Sequence, residues 1–362
     1  LKIKYLNNLL LLLLATLLTV SCDKESTSSE EGEKVTLDIS TRGILTDAIS
    51  DPDNAITSIR IMAFYHTNGQ FAAQDYKTIT VTDQPENIQL KLDPGHYDFA
   101  FIVNGDSDTG LTSRLQNYTK AKTFDNLKAE PIASSAFRND YSIPMLRLIK
   151  NIILTGESDL TVGGLATPQP WAVEVERAGI RVDLIIETTA ESIKKGFTNL
   201  QVINVPKQIY LSPKVNVNGT GSFESPIPGY RTFASNNGDI YDEPAELAGQ
   251  EVNYTITSSS DEVSFVEKNG KWYWYKRLIL PESVLEPTGQ EKSGMQLQVT
   301  IDDGLGEEQY SLTLSNADET EFTLPRNNRY KVTGTLNPGD YIEFSVSVKE
   351  WGNEETEDIV LE

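Results

Sequence analysis

Cys22 is the only cysteine in the 362 residues, and its position gives its thiol a specific chemistry. It closes the segment Thr19-Val20-Ser21-Cys22, directly after an apolar run from Leu9 to Leu18 that follows Lys2 and Lys4. A positive start, a short apolar core and a small residue before the processing point define an export signal. The run is about half of the ~20 apolar residues that span a bilayer, so a permanent transmembrane helix is not expected. A lone thiol in an exported chain has no disulfide partner, and two readings stand: an ordinary export signal that happens to contain a cysteine, or a thiol that accepts a lipid. Leu1 in place of Met is read as an alternative start codon.

Arg42 and Gly43 suggest a second chemistry. They follow the alternating segment that ends Ile39-Ser40-Thr41, and Gly43 leaves the Arg42 peptide sterically open. Two readings stand: a charged strand end, or the cleavage point of a trypsin-like processing protease. Asp302, Asp303, Glu307 and Glu308 offer the oxygen ligands that calcium prefers. Their spacing fits no EF-hand loop, so they are read as a solvated acidic hairpin, and no metal site is assigned. His66 and His96 are the only histidines, poor material for a metal site or a general base. Trp272-Tyr273-Trp274-Tyr275 alternates faces if it is a strand. One pair is expected to fill a core; the alternative is that one pair stacks on sugar rings or on a partner. Asn117, Asn218 and Asn253 each begin an N-x-[ST] sequon and are read as ordinary loop or strand residues.

No recognised enzyme motif is present. The phosphate-cradling G-x-x-x-x-G-K[ST] loop, H-E-x-x-H and the G-x-S-x-G elbow are all missing. Gly304-Leu305-Gly306 lies between two strand patterns, as a hairpin connection does. Sequence offers no way to pick a glycosidase carboxylate pair from 53 acidic residues. The chain is therefore read as a non-enzyme with no cofactor. Its net charge of −22 repels phosphate backbones, which argues against nucleic acid as a partner.

These residues need elements to position them. Residues 23–34, DKESTSSEEGEK, lack apolar side chains and read as a disordered tether after a signal over 1–22. From Val35 the pattern turns to period two, with Val35, Leu37 and Ile39 on one face of a half-buried strand. The same alternation recurs at Thr57–Tyr65, Thr78–Thr82, Ile88–Leu92, Tyr97–Val103, Val173–Glu187 and Leu200–Leu211. It continues at Val252–Ser258, Trp272–Leu280, Met295–Asp302, Gln309–Leu314, Glu321–Leu324, Tyr330–Leu336 and Tyr341–Lys349. Asn68-Gly69, Asp93-Pro94-Gly95, Asn269-Gly270, Asp303-Gly304 and Asn337-Pro338-Gly339 supply turn chemistry between them. Helical signals are confined to Ala190–Lys195 and to a short stretch within 111–128. An all-β chain follows, with two β-sandwich domains in tandem over 35–212 and 213–362 and few short helices. The Gly-, Pro-, Ser- and Asn-rich segment 213–250 marks the division. At the C-terminus, Ile359-Val360-Leu361 follows an acidic stretch over Glu354–Asp358.

Several stretches, in this order and spacing, resemble the fimbrillin superfamily of Bacteroidetes, the FimA and Mfa type fimbrial proteins. They are the signal through Cys22, Thr41-Arg42-Gly43, Leu92-Asp93-Pro94-Gly95-His96-Tyr97 leading to Val103-Asn104, and Ile143-Pro144-Met145. The match continues with Val175-Glu176-Arg177-Ala178-Gly179-Ile180-Arg181-Val182-Asp183-Leu184 and the run from Leu324-Pro325-Arg326 to Val332. It ends at Val348-Lys349-Glu350-Trp351. The family pattern has Arg-Ala where this chain has Arg42-Gly43. The resemblance implies transthyretin-like sandwiches, lipidation of Cys22, outer-membrane attachment through that lipid and cleavage after Arg42. It also implies assembly with other copies or related subunits on the cell surface. The removed strand, over 35–42 and carrying Val35, Leu37 and Ile39, would be replaced by a neighbour's terminal strand carrying Ile359, Val360 and Leu361. The readings left open are a polymerising subunit, an anchor or tip accessory subunit, and a glycan-binding surface lipoprotein using the aromatic strand. A ligand on a host or bacterial surface fits any of them.

Overall fold

Alternating apolar residues separated by Asn-Gly and Pro-Gly turns fold here as ladders of strands. The structure, a computed structural model, describes residues 35–40, 56–79, 88–137, 142–155, 160–162, 165–167, 171–173, 175–189, 197–206, 208–212, 254–257, 265–283, 294–302, 306–315, 322, 324–336 and 342–350. The chain runs through β1 (Val35–Ser40), β2 (Ser58–Tyr65), β3 (Phe71–Thr78), β4 (Ile88–Leu92) and β5 (Gly95–Val103). Two short helices follow, α1 (Thr109–Gln116) and α2 (Phe124–Lys128), then β6 (Pro131–Ala133), β7 (Met145–Leu154), β8 (Leu160–Val162), β9 (Leu165–Thr167) and β10 (Trp171–Ala172). Next come β11 (Glu176–Arg177), β12 (Gly179–Thr188), β13 (Phe197–Ile203), β14 (Gln208–Tyr210), β15 (Tyr254–Thr257) and β16 (Val266–Lys268). The last are β17 (Lys271–Pro281), β18 (Gln296–Asp302), β19 (Glu307–Thr313), β20 (Asn328–Leu336) and β21 (Ile342–Glu350). The fold is all-β, with α1 and α2 the α-helices among the described residues. No described helix is long and apolar enough to cross a membrane.

Three apolar cores organise the layers. A seven-stranded sheet runs β3-β2-β5-β7-β8-β9, with β11 on β7. Its inner face buries Ile59, Ile61, Phe99 and Phe101 against Leu90 and Leu92 of β4, which lies in the three-stranded sheet β10-β1-β4. Its other face buries Met62, Phe64 and Ile102 against Leu111 and Leu115 of α1 and Phe124 and Leu127 of α2. Local capping sets these helices: Asp108 accepts the Leu111 amide, and Thr123 and Asn126 exchange bonds in a capping box. The third core lies between the sheets β16-β17-β12-β20-β21 and β15-β13-β18-β19. Ile180, Val182, Leu184 and Ile186 meet Leu200, Leu297 and Val299 there. β12 and β13 precede Ser212, yet they pair with strands that follow residue 253. Segment 213–250, the signal, the tether and the helical signal at 190–195 lie outside the described residues.

The junction between the cores is tight. A Cβ on Gly179 would sit 2.7 Å from the Leu280 carbonyl oxygen and 2.8 Å from the Phe137 ring, so a larger residue must displace backbone. Buried Arg326 donates from Nε to Glu282 at 3.0 Å, from Nη1 to the Leu211 carbonyl at 2.8 Å and from Nη2 to the Tyr210 carbonyl at 2.9 Å. Nη2 also reaches the second Glu282 oxygen.

Four expected elements differ. Leu200–Leu211 divides into β13 and β14, which join different sheets, with Asn204 at φ 57° between them. β3 covers Phe71–Thr78, where the alternation had pointed to Thr78–Thr82, and residues 80–82 lie outside the described residues. Val173–Glu187 is interrupted by a bend at Ala178 that separates β11 from β12. Within Glu321–Leu324, Leu324 forms an isolated bridge with Ser283.

Candidate functional site

The backbone of β1 is joined on both sides. Val35 to Ile39 pair antiparallel with Leu92 to Ile88 of β4. On the other side Ile39 and Ser40 pair parallel with Trp171 and Ala172 of β10. Leu90, Leu92, Val173 and Val175 of the flanking segments are buried in the core. β4 is held to β5 by the Asp93-Pro94-Gly95 turn, whose Asp93 carbonyl accepts the Tyr97 hydroxyl at 2.9 Å. Burial, then the neighbouring Tyr65 and Asp93, pushes the Tyr97 hydroxyl up to about 12, so it stays a donor. Cys22, Arg42, Gly43, Ile359, Val360 and Leu361 lie outside the described residues.

The aromatic strand is β17. Trp274 is 1 % exposed in the third core, whereas Trp272, on the same face, is only half-buried. The other face carries Tyr273, half-buried, and Tyr275, 41 % exposed. The Tyr275 hydroxyl donates to Asp183 Oδ1 at 2.7 Å. Asp183 is 1 % exposed, and it also accepts from Arg181 Nε at 3.0 Å and from Arg329 Nε. Burial alone would push this carboxyl up; Arg181, Tyr275 and Arg329 together outweigh it and hold the group below the usual carboxylate range.

Sequence reasoning missed the relation between the two histidines. Their rings stack with centroids 3.9 Å apart and planes 26° from parallel. His66 Nδ1 lies 2.7 Å from Asp98 Oδ1, which also accepts the Asn151 amide at 3.0 Å, and His96 Nε2 lies 2.6 Å from Asn151 Oδ1. Nearly parallel imidazoles aim their lone pairs side by side, a poor geometry for chelating one ion. The signal available was the position of each histidine beside a turn, but nothing in one sequence paired the turns. In the acidic hairpin Asp302 faces Glu307 and Ile301 faces Glu308 across β18 and β19, and Asp303 lies outside the described residues. Among the described residues no three His, Cys, Asp or Glu side chains converge as metal ligands would.

Comparison with solved structures places this geometry among known folds. The tip fimbrial protein Mfa3 of Porphyromonas gingivalis, with a C-terminal truncation, superposes with a TM-score of 0.52 at 16% identity, over 88% of this chain and 100% of that one. A candidate cell adhesion protein of Parabacteroides distasonis gives 0.51 at 12% identity, over 89% of this chain and 98% of that one. Another, from Bacteroides eggerthii, gives 0.50 at 15% identity, over 88% and 97%. The fold is shared with Bacteroidetes fimbrial and candidate adhesion proteins. At these identities the likeness concerns the fold alone. No protein-family model matches the chain, and no curated protein matches it by sequence.

Proposed function

We propose that the chain is a fimbrial subunit, exported as a lipoprotein through Cys22 and assembled on the cell surface by strand exchange after cleavage at Arg42. The observation that carries this reading is the placement of β1. It is the middle strand of a three-stranded layer, and Arg42 lies two positions beyond its last residue. Excision of β1 leaves β4 and β10 facing each other across two strand spacings, about 9.6 Å. Their exposed amides and carbonyls then need partners. An incoming strand restores both ladders and covers the apolar floor that Leu90 and Leu92 help to form. Ile359, Val360 and Leu361 are the apolar residues for that role, and the polar segment before them allows reach to a second copy. Such head-to-tail contact does not close on itself and extends into a fibre. The fold shared with fimbrial proteins supports the reading.

The test compares the full chain with Arg42→Ala, each exposed to a trypsin-like protease. The parent is expected to acquire an N-terminus at Gly43 and to form ladders resistant to mild denaturant, while Arg42→Ala stays monomeric. Deleting Asp358–Glu362 from the parent is expected to stop elongation. Surface-extracted protein that still begins at lipidated Cys22 replaces the polymerising role with that of an anchor. Processed protein that stays monomeric at high concentration rules out strand exchange.

A further inference from the structure

The outer face of the five-stranded sheet carries a concentration of cations. Val182, Leu184, Ile186 and Trp274 point into the third core, so the alternate residues of the same strands occupy the opposite face. Register places Tyr275 beside Ile185, Ile185 beside Thr333, and Thr333 beside Ser345, in one row across four strands. The next row runs Arg277, Asp183, Lys331, Ser347. Four strands at the usual spacing make these rows about 14 Å long.

Three properties of this face point the same way. First, its sign is inverted. In a chain of net charge −22, β12, β17 and β20 carry Arg181, Lys271, Arg277, Arg329 and Lys331 on this face, against Asp183 and Glu187. Both carboxylates of β12 are already matched: Asp183 by Arg181 and Arg329, and Glu187 by Lys271 at 3.1 Å. Second, the Tyr275 hydroxyl is tethered to Asp183, two residues along from its cross-strand neighbour Ile185. That bond ties the side chain to the sheet while it stays 41 % exposed. Third, half-buried Thr333 and exposed Ser345 and Ser347 put hydroxyls at the β20 and β21 end of these two rows, two and three strands from the ring.

We infer that this face binds a short oligosaccharide carrying a sugar carboxylate. The Tyr275 ring supplies an amphipathic stacking surface, the hydroxyls hydrogen-bond sugar hydroxyls, and Lys331 meets the carboxylate. Ionic screening over about 8 Å makes the local sign decisive for a compact anion. A long polyanion extends beyond that range and meets the acidic remainder of the surface. A peptide strand is disfavoured because the backbone of β12, β17 and β20 is already laddered on both sides, and strand addition needs an edge. This inference does not depend on cleavage or polymerisation.

The test titrates the full chain with tetragalacturonate and with 3′-sialyllactose, and in parallel with carboxyl-reduced tetragalacturonate and with lactose. Saturable binding of at least one acidic sugar is expected, at least tenfold tighter than of its neutral counterpart. Lys331→Gln and Tyr275→Ala are each expected to weaken it at least fivefold. Tyr275→Phe, which keeps the ring and lacks the hydroxyl bond to Asp183, is expected to bind more tightly than Tyr275→Ala. Lys150→Gln, an exposed cation on another sheet, is expected to bind as the parent does. Absence of saturable binding to both acidic sugars overturns the inference, as does equal binding of acidic and neutral sugars. Equal loss in Lys150→Gln reduces the effect to unspecific charge and overturns it too. Tighter binding of a peptide spanning residues 352–358 replaces the glycan with a second copy of the chain.

Discussion

At Asp183 three donors converge on a carboxylate that water scarcely reaches. Replacing it with Asn removes the counter-charge it supplies to Arg181 and Arg329, and the expected cost is about 3–5 kcal/mol. The pH dependence has a definite sign. The folded carboxyl titrates below its unfolded counterpart at ~3.9, so its stabilisation is complete above that value and is lost as pH falls through the lower folded one. Denaturant midpoints measured from pH 6 down to pH 2 are expected to fall for the parent and to fall less steeply for Asp183→Asn. Trp274 and Trp272 give a second comparison. Truncating buried Trp274 to Ala is expected to cost about 3–5 kcal/mol by chemical denaturation. Half-buried Trp272 is expected to cost clearly less; equal costs contradict the difference in burial. The expectation that one aromatic pair fills a core therefore holds for Trp274 and only partly for Trp272, which lies one residue from the hairpin end of β17. Sequence alternation showed which residues share a face, but not how far each lies from the rim of the core.

At the scale of elements, turn chemistry was the most legible signal. Asn269 and Gly270 both take positive φ, 55° and 77°, and close the two-residue hairpin between β16 and β17, as Asn-Gly is suited to do. β7 was the least legible. Met145–Leu154 reads MLRLIKNIIL, which breaks period two because Asn151 adopts φ 63° and the pairing with β5 shifts between Tyr97 and Phe99. An extra residue swaps the faces, so apolar residues fall on both phases of the alternation. The bulge has its own test. Asn151→Ala is expected to cost about 1–2 kcal/mol for the left-handed backbone, plus the loss of the His96 contact. Asn151→Gly, which relieves the backbone, is expected to cost less by denaturant midpoint. β12 was legible as a strand but not as a central one. Its near-continuous burial arises because β17 and β20 flank it and long side chains cover its outer face.

For the whole molecule, the all-β class was readable from alternation and turns, and the strand containing Val35, Leu37 and Ile39 was readable from the first alternating run. The sharing of sheets across Ser212 was not, because strand partners as far apart in sequence as Arg181 and Arg329 leave no local trace. Arg326 is an example: its partners Tyr210, Leu211 and Glu282 come from distant segments. Arg326→Met strips buried Glu282 of this counter-charge and takes a donor from two carbonyls, and is expected to cost about 3–5 kcal/mol. The double variant Arg326→Met with Glu282→Gln is expected to recover part of that loss in thermal melts, since the stranded charge is removed.

The flanking of β1 by β4 and β10 also has a mechanical side. Whatever strand occupies that position runs along the axis of both ladders, so a tug on its end loads all their hydrogen bonds together in shear instead of unzipping them in turn. Yield under such a load follows the rate of escape over a barrier and not the equilibrium constant for strand binding. A joint of this kind holds against brief pulls in flowing liquid far better than its affinity alone suggests, and it fails by sudden release and not by gradual fraying.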